Sequence, residues 1–226
     1  MLRPSLGGPA HPIMKMERRA GMLFGVPLYG VHINGVVRKK GGEEYVWVAK
    51  RSEGKVLYPG LYDQMVSHHQ ASRRGGTYVW YPNGSFLYNT VCAAQREAAV
   101  SEALVGGIRA TGLVSYRYET AQGLVTKVLH VYDMELPEDW RPFNGNGEID
   151  GFTLMKVPDM LNDMRNHPEN WKPNSMIVNI DLAMRRGYIT PDDPDYLALA
   201  HSLRVSEPHL DLEHYMRSMG TLRGPS

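Results

Sequence analysis

The chain has 226 residues, of which 42% are hydrophobic and 22% charged, a composition typical of a globular protein with one domain and extensions. No apolar run approaches the roughly 18 to 20 residues that a membrane-spanning helix needs. The formal net charge of +1 argues against nucleic-acid binding by bulk positive charge, and the sequence carries no specific nucleic-acid signal.

Residues 1–23 are predicted to be an amino-terminal extension. Arg3 and Lys15 precede the first acidic residue, Glu17, which favours a mitochondrial over a cytoplasmic location. Cys92 is the single cysteine, so an internal disulfide is excluded and a reducing, intracellular compartment is expected. A nucleophilic role for Cys92 is a weaker interpretation than a small core residue.

Strands are predicted for the first part of the domain. Residues 29–38 and 44–52 both alternate between apolar and polar side chains and are joined by a turn, so they predict an antiparallel pair. Residues 55–70 then combine a Pro-Gly turn with another short strand.

An aromatic hairpin is predicted within an insertion at about residues 72–90. Asn83-Gly84 tolerates the positive φ of a tight turn, and β-branched and aromatic residues flank it over residues 77–89. We expect its aromatic side chains to contact another protein chain or cover the substrate cleft; these are Tyr78, Trp80, Phe86 and Tyr88.

The second half of the chain mixes helices and strands. Residues 91–105 are rich in alanine and precede Gly106-Gly107, which predicts one helix. Residues 111–120 and 123–136 predict a second strand pair. Three helices are predicted at 157–167, at 174–189 with Gly187 closing it, and at 190–204. This order indicates an α+β fold, with a carboxy-terminal extension at 206–226.

Five segments are more specific than their composition: FGVPLYGVHINGVV, YPGLYDQMV, SYRYETAQG, YDMELPEDWRP and RRGYITPDDPDYLAL. Together they resemble the Nudix hydrolases, in particular the subgroup found alone or fused to thiamine pyrophosphokinase. The resemblance runs from Phe24 to Arg204 and implies a Nudix-like domain at 24–205, with a mixed β-sheet sandwiched between α-helices. It also implies Mg²⁺-dependent cleavage of nucleoside- or thiamin-type diphosphates.

The family's catalytic signature is degenerate in this alignment. In the family an Arg-Glu pair is followed, after two residues, by two metal-binding glutamates on the same helix. Arg96-Glu97 matches the pair, but Val100 and Ser101 stand at the glutamate positions. Glu102 lies five residues after Glu97, and on one helix the two side chains diverge by about 140°.

Histidines also replace a glycine pair of the subgroup, since His68 and His69 precede Gln70. On a strand the two imidazoles face opposite sides, so a joint metal site is not expected.

We therefore expect a catalytically degenerate Nudix-fold protein, without a cofactor, that serves as a structural or binding subunit among other proteins of a larger assembly. The alternative is a Mg²⁺-dependent diphosphatase. Its residual catalytic candidates are Arg96, Glu97 and Glu148, and its metal ligands are Glu97, Glu119 and Glu148. Convergence of these carboxylates on one point supports the enzyme, whereas Val100 and Ser101 at the centre of the cleft support the binding subunit.

Overall fold

The structure is a computed structural model that describes residues 18–69, 86–121 and 123–204. A 3-10 turn at Arg18–Phe24 leads into the first strand, and a second at Pro168–Asn170 connects two helices. The strands are β1 (Leu28–Arg38), β2 (Glu44–Arg51), β3 (Tyr62–Gln64), β4 (Val66–His69), β5 (Ile108–Thr120), β6 (Gly123–Glu135) and β7 (Ile149–Lys156). The helices are α1 (Phe86–Ala98), α2 (Glu102–Val105), α3 (Val157–Asn166), α4 (Pro173–Arg185) and α5 (Tyr196–Ser202).

The strands form one mixed sheet. Its main order is β3-β2-β1-β6-β5, with β4 paired to β1 and β7 paired to β2. β1 and β6 are parallel, and the other pairs are antiparallel. The predicted pairing of β1 with β2, and of β5 with β6, is confirmed.

The sheet divides beside β1. Residues 35–38 of β1 pair with β2, whereas residues 30–33 pair with β4. β3 pairs with β2, and a single residue, Met65, separates the end of β3 from the start of β4. Side chains from β2, β3 and β4 therefore meet around this division.

Apolar side chains of the sheet pack against helices on both faces. Val31 and Ile33 of β1 belong to a cluster with Ala93, Ala94 and Ala98 of α1. The opposite face packs on α3 and α4 in two further clusters. The alternation of β1 sends neighbouring side chains to opposite faces, and the predicted α+β sandwich is confirmed.

The starts of α3 and α4 follow from their sequences, although α4 ends at Arg185, before the predicted residue 189. α3 and α4 each have proline in the first turn, where its missing N–H breaks no helical hydrogen bond. Gly187 follows α4 with a φ of 75°, a conformation that glycine adopts without strain. α5 is shorter than the predicted segment 190–204, and β7 was not predicted.

The prediction of one helix over residues 91–105 is wrong. α1 begins earlier, at Phe86, and ends at Ala98. Ala99 adopts a left-handed φ of 53°, and the Val100 amide bonds back to the Ala94 carbonyl at 3.3 Å. The left-handed residue ends the helix, and the apolar residue after it turns back against the helix. Val100 is accordingly buried, and α2 starts only at Glu102.

The hairpin prediction is wrong for its second strand. Phe86 and Tyr88 lie in the first turn of α1. Phe86 stacks on His130 and contacts Tyr29, so it is anchored within its own chain. Tyr88 is exposed. The first strand with Tyr78 and Trp80, and most of both terminal extensions, lie outside the described residues.

Among the described helices, none is long and apolar enough to cross a membrane.

Candidate active site

A small cleft lies where the sheet divides. Its residues come from the end of β2 and the loop after it, from β3 and β4, from α1 and from the start of β7. They are Arg51, Lys55, Asp63, Gln64, Met65, Ser67, Glu97, Glu148 and Ile149. Three carboxylates and two cationic side chains thus share one concave surface.

Glu97 reaches the cleft from the last turn of α1. It is buried, and its Oε1 lies 2.9 Å from Nδ1 of His68 and 3.4 Å from Nη2 of Arg96. Its Oε2 accepts a hydrogen bond from the Ser67 amide at 3.3 Å. These contacts tie the end of α1 to β4.

His68 bridges the Arg-Glu pair. Its Nδ1 lies 2.9 Å from Oε1 of the Glu97 carboxylate. Nη2 of Arg96 lies 3.1 Å from Nδ1 and 3.2 Å from Nε2 of the same ring. The imidazole therefore contacts both members of the pair.

Glu148 is presented by an asparagine- and glycine-rich loop. The Asn144 side chain accepts from the Asn146 and Gly147 amides at 3.2 and 3.0 Å, and Asn146 Oδ1 accepts from the Glu148 amide at 3.0 Å. The Glu148 carboxylate pairs with Lys55 at 2.5 Å. Partial burial opposes its ionisation, but Lys55 holds the pKa of Glu148 below its usual value.

Asp63 is a buried anion with all its lone pairs engaged. Oδ1 accepts from the Gln64 amide at 2.9 Å and from the Ser175 hydroxyl at 2.5 Å. Oδ2 accepts from Arg51 at 3.0 Å and from Lys172 at 2.7 Å. Burial alone would raise the pKa of Asp63, but Lys172 and these hydrogen bonds hold it well below its usual range.

Arg51 and Lys172 are cations held by Asp63. Arg51 also donates to the carbonyls of Leu57 and Tyr58, which fixes the loop after β2. Lys172 precedes α4, and its ammonium donates to the Ser67 hydroxyl at 2.9 Å. Burial lowers the pKa of Lys172 below its usual value, and the adjacent Asp63 carboxylate opposes that shift only in part.

Among curated proteins, the chain is similar to two from Arabidopsis thaliana. It is 36% identical over 204 residues to "Nudix hydrolase 24, chloroplastic", covering 90% of this chain and 52% of that protein. It is 35% identical over 204 residues to "Nudix hydrolase 20, chloroplastic", covering 90% and 50%. The chain belongs to the Nudix family. It spans about half the length of these curated relatives.

The chain is also similar to a yeast protein and to a solved bacterial structure. An uncharacterized protein of Saccharomyces cerevisiae is 36% identical over 203 residues, which are 83% of this chain and 56% of that protein. A solved structure from Deinococcus radiodurans aligns with a TM-score of 0.46 at 17% identity, covering 72% of this chain and 83% of that one. No family model matches the chain. With the sequence similarity to the two plant relatives, the mixed sheet between helices is the Nudix fold.

This Nudix chain brings together some of the predicted site residues and separates others. Glu97 and Glu148 line one cleft, with Arg96 beside them, as the enzyme hypothesis requires. Glu119, the predicted third ligand, lies near the end of the edge strand β5 and is not among the residues that line the cleft.

The residues at the signature glutamate positions also lie away from the cleft. Val100 is buried in the core against the α1 side of the sheet, and Ser101 is exposed before α2. The prediction that they share a helix face with Glu97 is wrong, because the chain leaves the helix at Ala99. Glu102 is exposed on α2.

Sequence reasoning missed Arg51, Lys55, Asp63, Ser67 and Lys172. Asp63 and Lys172 are separated by 109 positions, so no local pattern joins them. The one available signal was an unusual lysine between Trp171 and the proline that opens α4.

Two carboxylates of this Nudix cleft are suitable ligands for Mg²⁺. Mg²⁺ is commonly bound by one or two carboxylates plus substrate phosphates, and Glu97 and Glu148 supply two carboxylates. Asp63 does not fit, because four donors already occupy it. Within the described part of the chain, no group of three or more His, Cys, Asp or Glu is placed to hold a metal ion.

Proposed function

We propose that this Nudix chain hydrolyses a diphosphate-containing compound, with Mg²⁺ bound by Glu97, Glu148 and phosphate oxygens of the substrate. One observation carries the proposal: the glutamate of the Arg-Glu pair and Glu148 line the same cleft as Arg51 and Lys55. The names of the two plant relatives support hydrolysis as the activity.

The side chains of the cleft have the charges that this reaction needs. A diphosphate is strongly anionic, and cations within a confined cleft attract it. Lys55 pairs with Glu148 and is exchangeable between that carboxylate and a phosphate. When bound, Mg²⁺ would screen phosphate charge and lower the pKa of a coordinated water.

The position of the Glu97 carboxylate is fixed by its neighbours. His68, Arg96 and the Ser67 amide hold its carboxylate at the cleft wall. Binding and orienting groups in one geometry is a main source of rate acceleration. We propose that this support lets two carboxylates bind Mg²⁺ where the family signature has additional glutamates.

The substrate class follows the resemblance to the subgroup associated with thiamine pyrophosphokinase. Thiamin diphosphate, ADP-ribose and dinucleoside polyphosphates are the compounds to assay with Mg²⁺. We expect turnover within the usual enzymatic range of about 1 to 10³ s⁻¹ for at least one compound.

Glu97→Gln tests the assignment. It removes the negative charge but keeps the shape, and we expect kcat to fall about 100-fold or more, as for loss of a group that stabilises the transition state. Glu102→Gln is the matched control, because Glu102 is exposed and does not line the cleft. Equal activity of the two variants would contradict the role of Glu97.

A second candidate function is the non-hydrolytic subunit of a larger assembly. The replacement of both signature glutamates by Val100 and Ser101 favours it. Tyr88 remains a candidate contact for a partner, since it is exposed on α1. Absence of hydrolysis for every assayed compound, together with migration in a large complex from the native source, would favour this function over the first.

The compartment remains a proposal as well. The amino-terminal composition favours mitochondria, and the two plant relatives are chloroplastic by name. Imaging of the full chain with a carboxy-terminal tag would test the mitochondrial location.

A further inference from the structure

The Ser67 hydroxyl lies between the cleft and a buried ion pair. Ser67 lines the cleft. Its oxygen accepts a hydrogen bond from the Lys172 ammonium at 2.9 Å, while Lys172 also donates to Asp63 at 2.7 Å. The amide of Ser67 donates to Glu97. One serine therefore contacts both the ion pair and the glutamate of the site.

The direction of the hydrogen bond between Lys172 and Ser67 is fixed by charge. Lys172 is almost fully buried, and a buried ammonium persists only beside an anion. Asp63 is that anion. The Gln64 amide and the Ser175 hydroxyl also donate to its carboxylate and stabilise the negative charge. A charged ammonium has three donors and no acceptor. Ser67 Oγ must therefore accept.

A serine oxygen that accepts still has its own proton to donate. Ser67 lines the cleft, so we expect an acceptor bound there to lie within reach of that proton. A phosphoryl oxygen is such an acceptor, and hydrogen bonds to charged oxygens are the strong ones.

A nucleophilic role for Ser67 does not fit this arrangement. A serine–lysine pair acts as nucleophile and base when the neutral amine accepts the hydroxyl proton. Here Asp63 keeps the amine protonated, and the ammonium donates instead. The pair is suited to binding an anion and to no covalent step.

We propose that Ser67 is a phosphate-binding residue of the cleft, donating its O–H to a diphosphate oxygen, and that Lys172 is the positioning residue that orients this hydroxyl. The diphosphate nature of the ligand rests on the proposed function. Arg51, Lys172 and Asp63 together carry one net positive charge behind Ser67. Lys55, Glu97 and Glu148 of the cleft offset that charge, so the hydrogen bond from Ser67, rather than net charge, is the attraction that we propose.

Inorganic pyrophosphate is the probe, titrated calorimetrically into the full chain with EDTA present and again with Mg²⁺. Under both conditions we expect Ser67→Ala to weaken binding about 10-fold or more, as for loss of a hydrogen bond to a charged group. Ser67→Thr keeps the hydroxyl and should bind within about threefold of the wild type. Ser101→Ala is the control, since this exposed serine lies outside the cleft.

Lys172→Met tests the positioning role. Because Lys172 acts through the hydroxyl, the double variant with Ser67→Ala should bind no more weakly than the weaker of the two single variants. Additive losses would overturn the positioning role. If Lys172→Met does not fold, the Ser67 series still decides the binding role.

Two outcomes separate this inference from the proposed hydrolysis. A wild-type chain that binds pyrophosphate through Ser67 but hydrolyses no compound overturns the hydrolase and retains the binding residue. A folded Ser67→Ala variant that binds pyrophosphate as tightly as the wild type overturns the inference, as does a wild-type chain that does not bind pyrophosphate.

Discussion

His32 is an imidazole buried between the sheet and α4. The Gln64 amide nitrogen donates to the Ser175 carbonyl and to Asn179 Oδ1, both at 2.8 Å, so Gln64 Oε1 is left to accept from His32 Nδ1 at 2.8 Å. The Asn174 amide lies 3.4 Å from the other ring nitrogen. This network accommodates the neutral ring with its proton on Nδ1.

A proton on His32 therefore opposes the folded state. Burial, and then the positive charge of Lys172, lower the pKa of His32 from 6.5 to about 4. The unfolded chain binds more protons than the folded chain between these two values, so the stability that the neutral ring provides is lost as the pH falls through this window.

We predict that lowering the pH from 7 to 5 removes about 2 kcal/mol of unfolding free energy through His32. Urea titrations at both pH values measure the loss of unfolding free energy between pH 7 and pH 5. In His32→Gln this loss should be smaller by about 2 kcal/mol. His167→Gln is the control, because His167 is exposed. An unchanged pH dependence in His32→Gln would show that the ring does not titrate in this way.

For single residues, the sequence predicted which charged side chains belong to the site but not which residues pair with them. Glu97 and Glu148 were candidates from the resemblance, and both line the cleft. The roles of Asp63 and Lys172 depend on α4 packing beside β3, which brings distant residues within hydrogen-bonding distance. The spacing of residues along the chain does not predict such a contact.

The loop at residues 141–148 is built against the end of α1. The Phe143 amide donates to the Ala98 carbonyl at 3.2 Å, and Gly145 lies so close to the helix that a Cβ there would be 2.5 Å from the Arg96 carbonyl oxygen. The same loop presents Glu148, and the same helix end presents Glu97. Their relative position depends on this backbone contact.

We predict that Gly145→Ala lowers the unfolding free energy by about 1 to 3 kcal/mol, since backbone atoms must move to admit the methyl group. Hydrolysis and pyrophosphate binding should fall as well, because the two carboxylates separate. Gly151→Ala on β7 is the matched control, as a Cβ at that position would meet no atom within 4 Å. Equal effects in denaturant titrations of both variants would argue against the contact.

The end of α1 shows why elements were predicted better than their boundaries. An alanine-rich segment without glycine or proline favours one continuous helix. Placing Ala99 in the left-handed region costs about 1 to 2 kcal/mol, and burial of Val100 in the core offsets it. Only the packed fold reveals that compensation.

Across the whole molecule, Asp133 joins the sheet to α4. Its carboxylate accepts from Asn34 of β1 at 3.0 Å, from Arg185 at 2.7 and 3.0 Å, and from Arg186 at 3.2 Å. Burial opposes ionisation, but Arg185 and Asn34 hold the pKa of Asp133 below its usual value. Arg186 extends the contact to Glu44 at the start of β2.

We predict that Asp133→Asn lowers the unfolding free energy by about 2 kcal/mol, because it removes the anion that two partly buried guanidinium groups share and leaves them with Asp181 and Glu44. Asp139→Asn, in an exposed turn, should change it by no more than about 0.5 kcal/mol. Chemical denaturation of both variants at pH 7 provides the comparison, and similar values would contradict the linking role of Asp133.

The global pairing of strands was predicted only where partners are neighbours in the chain. Turns identify the β1–β2 and β5–β6 pairs, because a short connection favours an antiparallel hairpin. The parallel β1–β6 pair and the β2–β7 pair join distant segments, and alternation alone does not assign partners to them. The resemblance, rather than periodicity, implied the mixed sheet.

The parallel pairing of β1 with β6 also affects how the chain emerges from a ribosome. β1 begins at residue 28 and β6 at residue 123, so at about 5 to 20 residues per second the first strand waits roughly 5 to 20 s for its central partner. During that interval a strand that the folded protein buries almost completely has one edge open to other nascent chains. This protein should therefore depend on chaperones most strongly while the segment between the two strands is being translated.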